Sequence, residues 1–178
     1  MILLLAVLYP LLIAGVARLA PGAGKGATIT LNGKVVGYEN IGQQFTEDKY
    51  FQGRPSAVNY NAAGSGGSNK SAANPEYLKT VQDRIDTLLV HNPGTNKADI
   101  PSEMVTASGS GLDPNISPAS AKIQVKRIAA VRHIEEKVIL DLITKHTEAP
   151  LAGILGPSKI NVLKLNIALD KLNLTEQK

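Results

Sequence analysis

Asn74 to Gly94 reads NPEYLKTVQDRIDTLLVHNPG, and the class of fold turns on this stretch. Asn74 is a helix-capping residue type, Pro75 suits a first helical position whose amide would lack a partner anyway, and His91-Asn92-Pro93-Gly94 stops whatever lies between. Within those bounds Tyr77, Leu78, Val81, Ile85, Leu88 and Leu89 recur at helical spacing as a stripe to be buried, with Lys79, Asp83, Arg84 and Asp86 turned to solvent. The segments just ahead of this helix carry strand and loop signals, and those behind it carry helix signals. That order predicts an α+β, or mixed α/β, domain.

Working back from the helix, Ser56 to Ser71 is poor in apolar residues and rich in Gly, Ser and Asn, the composition of a long surface loop. Its part GSGGSNKS, Gly64 to Ser71, comes close to the phosphate-cradling G-x-x-x-x-G-K-[ST] pattern but has Asn69 where the second glycine belongs. It also lacks the buried strand before and the immediate helix after that such a cradle needs, so it reads as a solvated or partner-contacting loop. Further back, IGQQFTEDKYFQGRPS places Phe45 and Phe51 beside Tyr50, an aromatic group expected to pack on the sheet. Ahead of it TITLNGKVVGY, Thr28 to Tyr38, sets branched residues on either side of Asn32-Gly33, the strongest short-range hairpin signal.

Forward of the helix, Ser117-Pro118 opens a second one carrying Ile123, Arg127, Ile128 and Val131. A third runs from about Glu135 to His146, with acids in its first turn, Lys145 and His146 in its last, and a stripe of Val138, Leu142 and Ile143. A break from Pro150 to Pro157 leads to KINVLKLNIALDKL, read as a short strand entering a last helix lined by Leu165, Leu169 and Leu172.

The first line of the sequence, MILLLAVLYPLLIAGVARLA, is of another kind. Met1 to Ala17 bears no charged side chain, close to the roughly 17 residues that mark the lower bound of a spanning helix. With Leu19 and Ala20 included and Arg18 snorkelling, residues 1–20 are expected to form one transmembrane anchor kinked at Pro10, followed by a flexible spacer at 21–27 and a domain at 28–178. The competing reading is a cleaved secretory signal, which lacks a basic leading region here and has only a weak small-residue site at Gly15 to Ala17.

With 178 residues, 43% of them hydrophobic, the chain can bury a sizeable core. A net charge of +4, scattered along the sequence, does not make a nucleic-acid surface, and the absence of cysteine removes disulfides, thiolate metal sites and thiol nucleophiles. His91, His133 and His146 stand at helix ends outside any ligand spacing, and Glu135 and Glu136 are adjacent and point apart on a helix. Ser108 and Ser110 lie in a glycine-rich setting without a nucleophile elbow or a histidine placed to serve them. No independent catalytic site and no cofactor of the chain's own is expected.

Several separated blocks together resemble the C subunit of the Kdp potassium-transporting ATPase: IGQQF, YFQGRPSA, GGSN, the NPE helix start, VTASGSGLDPNISP and INVLKLNIALDKL, in family order from Ile41 to Leu172. The resemblance implies a small accessory subunit of a bacterial inner-membrane potassium pump. Its companions would be a channel-like potassium-binding subunit, a P-type subunit that hydrolyses ATP and a small fourth subunit. It implies a single-pass protein with its domain on the extracytoplasmic side. This chain has no D-K-T-G-T phosphorylation motif, since Asp170-Lys171 runs into Leu172 and Asp48-Lys49 into Tyr50, so it is not the phosphorylated subunit.

Two roles follow from the resemblance. In one the chain stabilises the assembled pump, with partner contacts at Pro10, Gln43, Arg54 and Asn69. In the other it is a catalytic chaperone that raises the ATP affinity of the hydrolysing subunit, and Ser108, Ser110, Gly111 and Asp113 contact the nucleotide, ATP then being reached through the complex. An extracytoplasmic loop faces a compartment without ATP, which favours the first. A secreted binding protein is the reading that goes with a cleaved signal. The sequence departs from the family in starting its apolar segment at Met1 and in placing Glu135 where a helix-capping Ser is usual.

Overall fold

In the computed structural model, Asn32 and Gly33 sit at φ 51° and 77°, the left-handed pair of a type I′ turn. They join strand β1, Thr28–Leu31, to strand β2, Lys34–Tyr38, as an antiparallel hairpin in which Thr28 pairs with Tyr38 and Leu31 with Lys34 across a bulge between Ile29 and Thr30. The structure describes residues 1–20 and 22–175, with the side chains of 173–175 excepted. Pro21 of the expected spacer and the last three residues of the expected domain lie outside them. The chain divides into two compact units, Met1–Asn40 and Ile41–Lys178.

The first unit holds the hairpin and the apolar N-terminal segment, where the structure departs from expectation. A π-helical turn, Leu4–Leu8, leads into helix α1, Tyr9–Ala17. Pro10 has no amide to give to the turn before it, and the ladder widens over Leu4–Leu8 to accommodate it. At the other end the amides of Arg18, Leu19 and Ala20 reach back three residues to Gly15, Val16 and Ala17, which closes the helix. The continuous helical run 2–17 extends at most about 24 Å at ~1.5 Å per residue, against about 30 Å of bilayer hydrocarbon. Among the described residues no helix is long and apolar enough to cross a membrane. The transmembrane anchor expected at 1–20 is overturned: the helix closes at Ala17 and is too short to span.

The second unit is built on helices. Helix α2 spans Pro75–His91, α3 Pro118–Lys122, α4 Val125–Arg132, α5 Glu136–His146 and α6 Val162–Thr175, with strands β3, Asn115–Ile116, and β4, Ile160–Asn161, paired antiparallel in front of α6. The Asn74 side chain accepts from the Tyr77 amide at 3.0 Å and Ser117 from the Ser120 amide at 3.1 Å, so both cap-then-proline starts hold. Helix α5 packs on α3, α4 and α6 around Ile116, Val125, Ile128, Ile139, Ile143, Leu165 and Leu169. The mixed α/β character is observed, with less sheet than the sequence suggested.

The helix expected from Ser117 onward is split. The Gln124 side-chain amide takes the Ser120 carbonyl at 3.0 Å, which its own backbone amide would otherwise use, and that amide turns to Ala121 instead. Helix α2 also differs, for none of its residues is buried: Tyr77, Val81, Ile85, Leu88 and Leu89 are half-covered and Leu78 is 53% exposed. It faces irregular chain rather than another helix, and irregular chain cannot interdigitate with its ridges.

The aromatic segment does not lie on a sheet. Phe51 is completely buried among the helices, and the extended chain around it is held by helix side chains. The Phe51 amide donates to Asn166 Oδ1 at 2.8 Å and the Phe51 carbonyl accepts from Asn166 Nδ2 at 2.9 Å, the pattern a neighbouring strand would supply. The Gln52 amide donates to Gln124 Oε1 at 2.8 Å. Arg127, 3% exposed, donates to the Asp48 and Tyr50 carbonyls, to Asn92 Oδ1 at 3.0 Å and to Gln124 Oε1 at 2.8 Å. Arg132 donates to the Lys49 carbonyl at 2.6 Å and to Asp170 Oδ1 at 2.7 Å, and the Tyr50 hydroxyl donates to the other Asp170 oxygen at 3.1 Å.

Replacing Arg127 strands several of these acceptors in a dry interior. Arg127→Met should cost about 3 kcal/mol or more, a fall in Tm of roughly 6–12 °C for a domain of this size. Calorimetry on the full chain checks it, and a shift below ~2 °C would refute the central place given to this guanidinium.

Candidate functional site

Three loops meet beside the Phe51 segment, and the glycine-rich stretch Thr106 to Asp113 is in the middle of them. Ser108 is 3% exposed; its amide donates to the Pro55 carbonyl at 3.1 Å and its hydroxyl accepts from the Gly111 amide at 2.9 Å. The Ser56 hydroxyl donates to the Gly111 carbonyl at 2.7 Å, while the Ser110 carbonyl accepts from the Gly66 amide at 2.9 Å and the Ser65 hydroxyl at 3.0 Å. Arg54 meets the Asp113 carboxylate at 3.2 Å, and the other oxygen of that carboxylate accepts from the Asn115 amide at 3.0 Å. Burial, with the Asp113 charge nearby, pushes the Tyr60 phenol up to about 12, and its hydroxyl donates to the Arg54 carbonyl at 2.5 Å.

Glycine is required here by space as well as by dihedral. Gly111 has φ +67°, and a Cβ there would come within 2.6 Å of Val58 and 2.7 Å of the Gly66 carbonyl. A Cβ on Gly42 would collide with the Asp113 carbonyl, and one on Gly53 would stand 2.8 Å from the Tyr60 hydroxyl. The loops therefore touch backbone to backbone.

Of the residues singled out from sequence, the structure brings Ser108, Gly111, Asp113 and Arg54 into one hydrogen-bonded group. Ser110 lies at its exposed edge, with its hydroxyl accepting from the Leu112 amide at 3.1 Å. Gln43 borders a shallow depression with Asp113 and Pro114. Asn69 is exposed on the neighbouring loop at φ 52°, and Pro10 belongs to the other unit. Sequence reasoning missed the cleft of about 390 Å3 that opens next to this group, between α2 and the chain from Gln44 to Tyr60.

The cleft has an apolar floor of Phe45, Leu88 and Met104 and a polar rim that includes Arg54, Arg84, Asp83 and His91. Arg84 donates to the Val105 carbonyl at 3.0 Å, and His91 Nδ1 lies 2.9 Å from Asp48 Oδ1. Arg54 keeps a buried Nε–H without a partner among the described residues. Its hydroxyls are spent on backbone carbonyls, Ser56 on Gly111, Thr80 on Glu76 and Thr87 on Asp83. Such a cleft can seat a side chain or a small molecule, and none of those hydroxyls is presented to a base as a nucleophile would need. The one sequence signal for its wall was the amphipathic stripe of α2, which does not say what it will face.

Below this group Glu103 ties the 3₁₀ turn Ser102–Met104 to the start of α3, accepting from the Ser117 amide at 2.8 Å and from the Ser120 hydroxyl. Burial alone would raise its carboxyl, but the hydrogen bonds from Ser120 and Ser117 outweigh that and hold it below the usual carboxylate value. Its contribution is thus present above that usual value and is lost as pH falls through the lower folded-state value. Glu103→Gln should cost about 1.5 kcal/mol at neutral pH and flatten the acid limb of the stability curve; an unchanged limb would contradict the assignment. Gly111→Ala should cost about 2 kcal/mol or more through overpacking and the left-handed φ, read from the urea midpoint at pH 7.

The family of the K+-transporting ATPase c chain, KdpC, matches residues 1–171. A potassium-transporting ATPase KdpC subunit of Flavobacterium psychrophilum is 58% identical over 172 residues, covering 97% of this chain and 92% of its own. One from Flavobacterium johnsoniae is 58% identical over 171 residues, 96% of this chain and 92% of its own, and one from Caldanaerobacter subterraneus subsp. tengcongensis is 46% identical over 167 residues, 93% and 86%. The glycine-locked loops, the capped helices and the Phe51 clamp described above are thus those of a chain that belongs to the KdpC family, the C subunits of the potassium-transporting ATPase.

Proposed function

We propose that the chain is a non-catalytic accessory subunit of an ATP-driven potassium-uptake pump, and that it stabilises the assembly of the channel-like and ATP-hydrolysing subunits. Family membership supplies the accessory role in a membrane-associated complex. The observation that carries the finer reading is how completely the Ser108–Asp113 loop is occupied with its own scaffold. Ser108 binds Pro55, Ser110 binds Gly66, the Gly111 carbonyl accepts from Ser56, and Asp113 binds Arg54 and Asn115. A loop so engaged presents a fixed surface to a protein partner.

On this reading the second unit lies on the extracytoplasmic side. Gln43, Arg54 and Asn69 contact the channel-like subunit, Pro10 contacts it from the first unit, and the small fourth subunit joins the same complex. Differential affinity for the assembled, high-affinity state is what such a subunit contributes.

The test is the purified pump expressed with the chain and without it, assayed for potassium-stimulated ATP hydrolysis and for co-purification of the other subunits. Both should fall at least ~10-fold without the chain, which corresponds to about 1.4 kcal/mol of coupling or more. An intact complex with only a weaker apparent ATP affinity would replace this reading with that of a catalytic chaperone acting through Ser108, Ser110, Gly111 and Asp113.

A further inference from the structure

Between α5 and β4 the chain forms a finger. At its base Glu148 and Lys159 exchange backbone hydrogen bonds of 2.8 and 3.1 Å, and nearer the tip Leu151 and Leu155 do the same at 2.9 and 3.0 Å. Ala152, Gly153 and Gly156 take φ of 53°, 79° and 86° to turn it. A Cβ added to Gly153 or Gly156 would meet nothing within 4 Å, so the tip stands clear of the rest of the unit. Leu151, Ile154 and Leu155 are nevertheless 73%, 83% and 61% exposed. Three bulky apolar side chains within five residues are thus held outward by ordered chain, an arrangement unlike singly scattered surface apolar groups.

The root of the finger is basic. Lys159 stands at its base in an ion pair with Glu148 at 3.6 Å, Lys145 lies in the last turn of α5 and Lys164 in the first turn of α6. Lys145 and Lys164 both bear on His146, whose pKa burial and these two charges lower, so these two cations lie close to one another. An apolar tip above a basic root is the pattern of an interfacial lipid contact: side chains enter the boundary layer and cations meet the phosphates. A protein groove would accept the tip but would not call for the lysines.

We infer that the Leu151–Leu155 finger is a lipid-contacting tip that inserts into the interfacial layer of an anionic bilayer, with Lys145, Lys159 and Lys164 against the headgroups. The inference rests on the family assignment only in placing the chain at a membrane-associated complex.

The chain has no cysteine, so Ile154→Cys bearing an environment-sensitive fluorophore reports on the tip alone, whatever the apolar N-terminal segment does. The full chain is mixed with vesicles of phosphatidylcholine alone or of phosphatidylcholine with phosphatidylglycerol. With phosphatidylglycerol the emission should shift to the blue and be quenched by spin labels on shallow acyl carbons, while the same label at Ala72→Cys stays in water. Lys145→Gln and Lys159→Gln should each weaken the response roughly fivefold, and high salt should weaken it too. A tip label that stays in water with both vesicle types overturns the inference. So does one shielded only when the other pump subunits are present, or shielded by raised chain concentration without lipid. Loss of pump assembly is a separate readout, so failure of the proposed function and failure of the lipid contact are told apart.

Discussion

Backbone that is neither helix nor strand must still find partners when it is buried, and here that demand is concentrated on Asp48 to Gln52. Phe51 carries this segment into the core, where no strand of the described residues runs alongside it. Side chains of α4, of α6 and of the break before α4 take the place of the missing strand: Asn166 pairs with Phe51 on both of its polar atoms, Gln124 with Gln52, and Arg127 collects the carbonyls of Asp48 and Tyr50. The rest follows from this arrangement. It fixes the distance between α4 and α6, interrupts the helix at Gln124 and sets the course of the chain that goes on to Arg54.

From Arg54 the constraint passes into the loops. The Arg54 to Asp113 ion pair and the Tyr60 bond to the Arg54 carbonyl hold the Gly/Ser stretch against the 56–67 loop, at separations that only glycine at 42, 53 and 111 allows. An ion pair about a quarter exposed contributes little on its own. Its value here is geometric, since it shares a network with backbone bonds that do not depend on charge. The result is a rigid patch beside a cleft whose far wall, α2, is held mainly by its cap, by Arg84 and by His91.

Much of this was legible in the sequence. Asn74-Pro75, Ser117-Pro118 and Asn32-Gly33 each bring their own local chemistry, so caps and hairpin could be read without tertiary knowledge. What failed to show were the groups that act at long range. Gln124, Arg127, Asn166 and Asp170 lie on helix faces where a polar residue looks solvated, and only the fold turns them toward chain more than seventy positions away. The apolar N-terminal segment misled for a related reason. Hydropathy counts residues, but a span is a length of helix, and the π-helical turn before Pro10 and the closing turn at Ala17 shorten it. The cluster around Ser108 could be named from its glycines, whereas the cleft beside it depends on α2 lacking a helical neighbour.

The Asn166 to Phe51 pair also governs when the molecule can be completed. The two residues are 115 positions apart, so on a ribosome adding about 5–20 residues per second the Phe51 segment waits roughly 6–23 s for its partner to be made. Until then the buried phenylalanine and the unpaired backbone around it are exposed together, and local helices cannot substitute for the missing amide. Contacts of such separation slow the final step of folding. During synthesis the Phe51 segment therefore stays without its backbone partner for as long as α6 is absent.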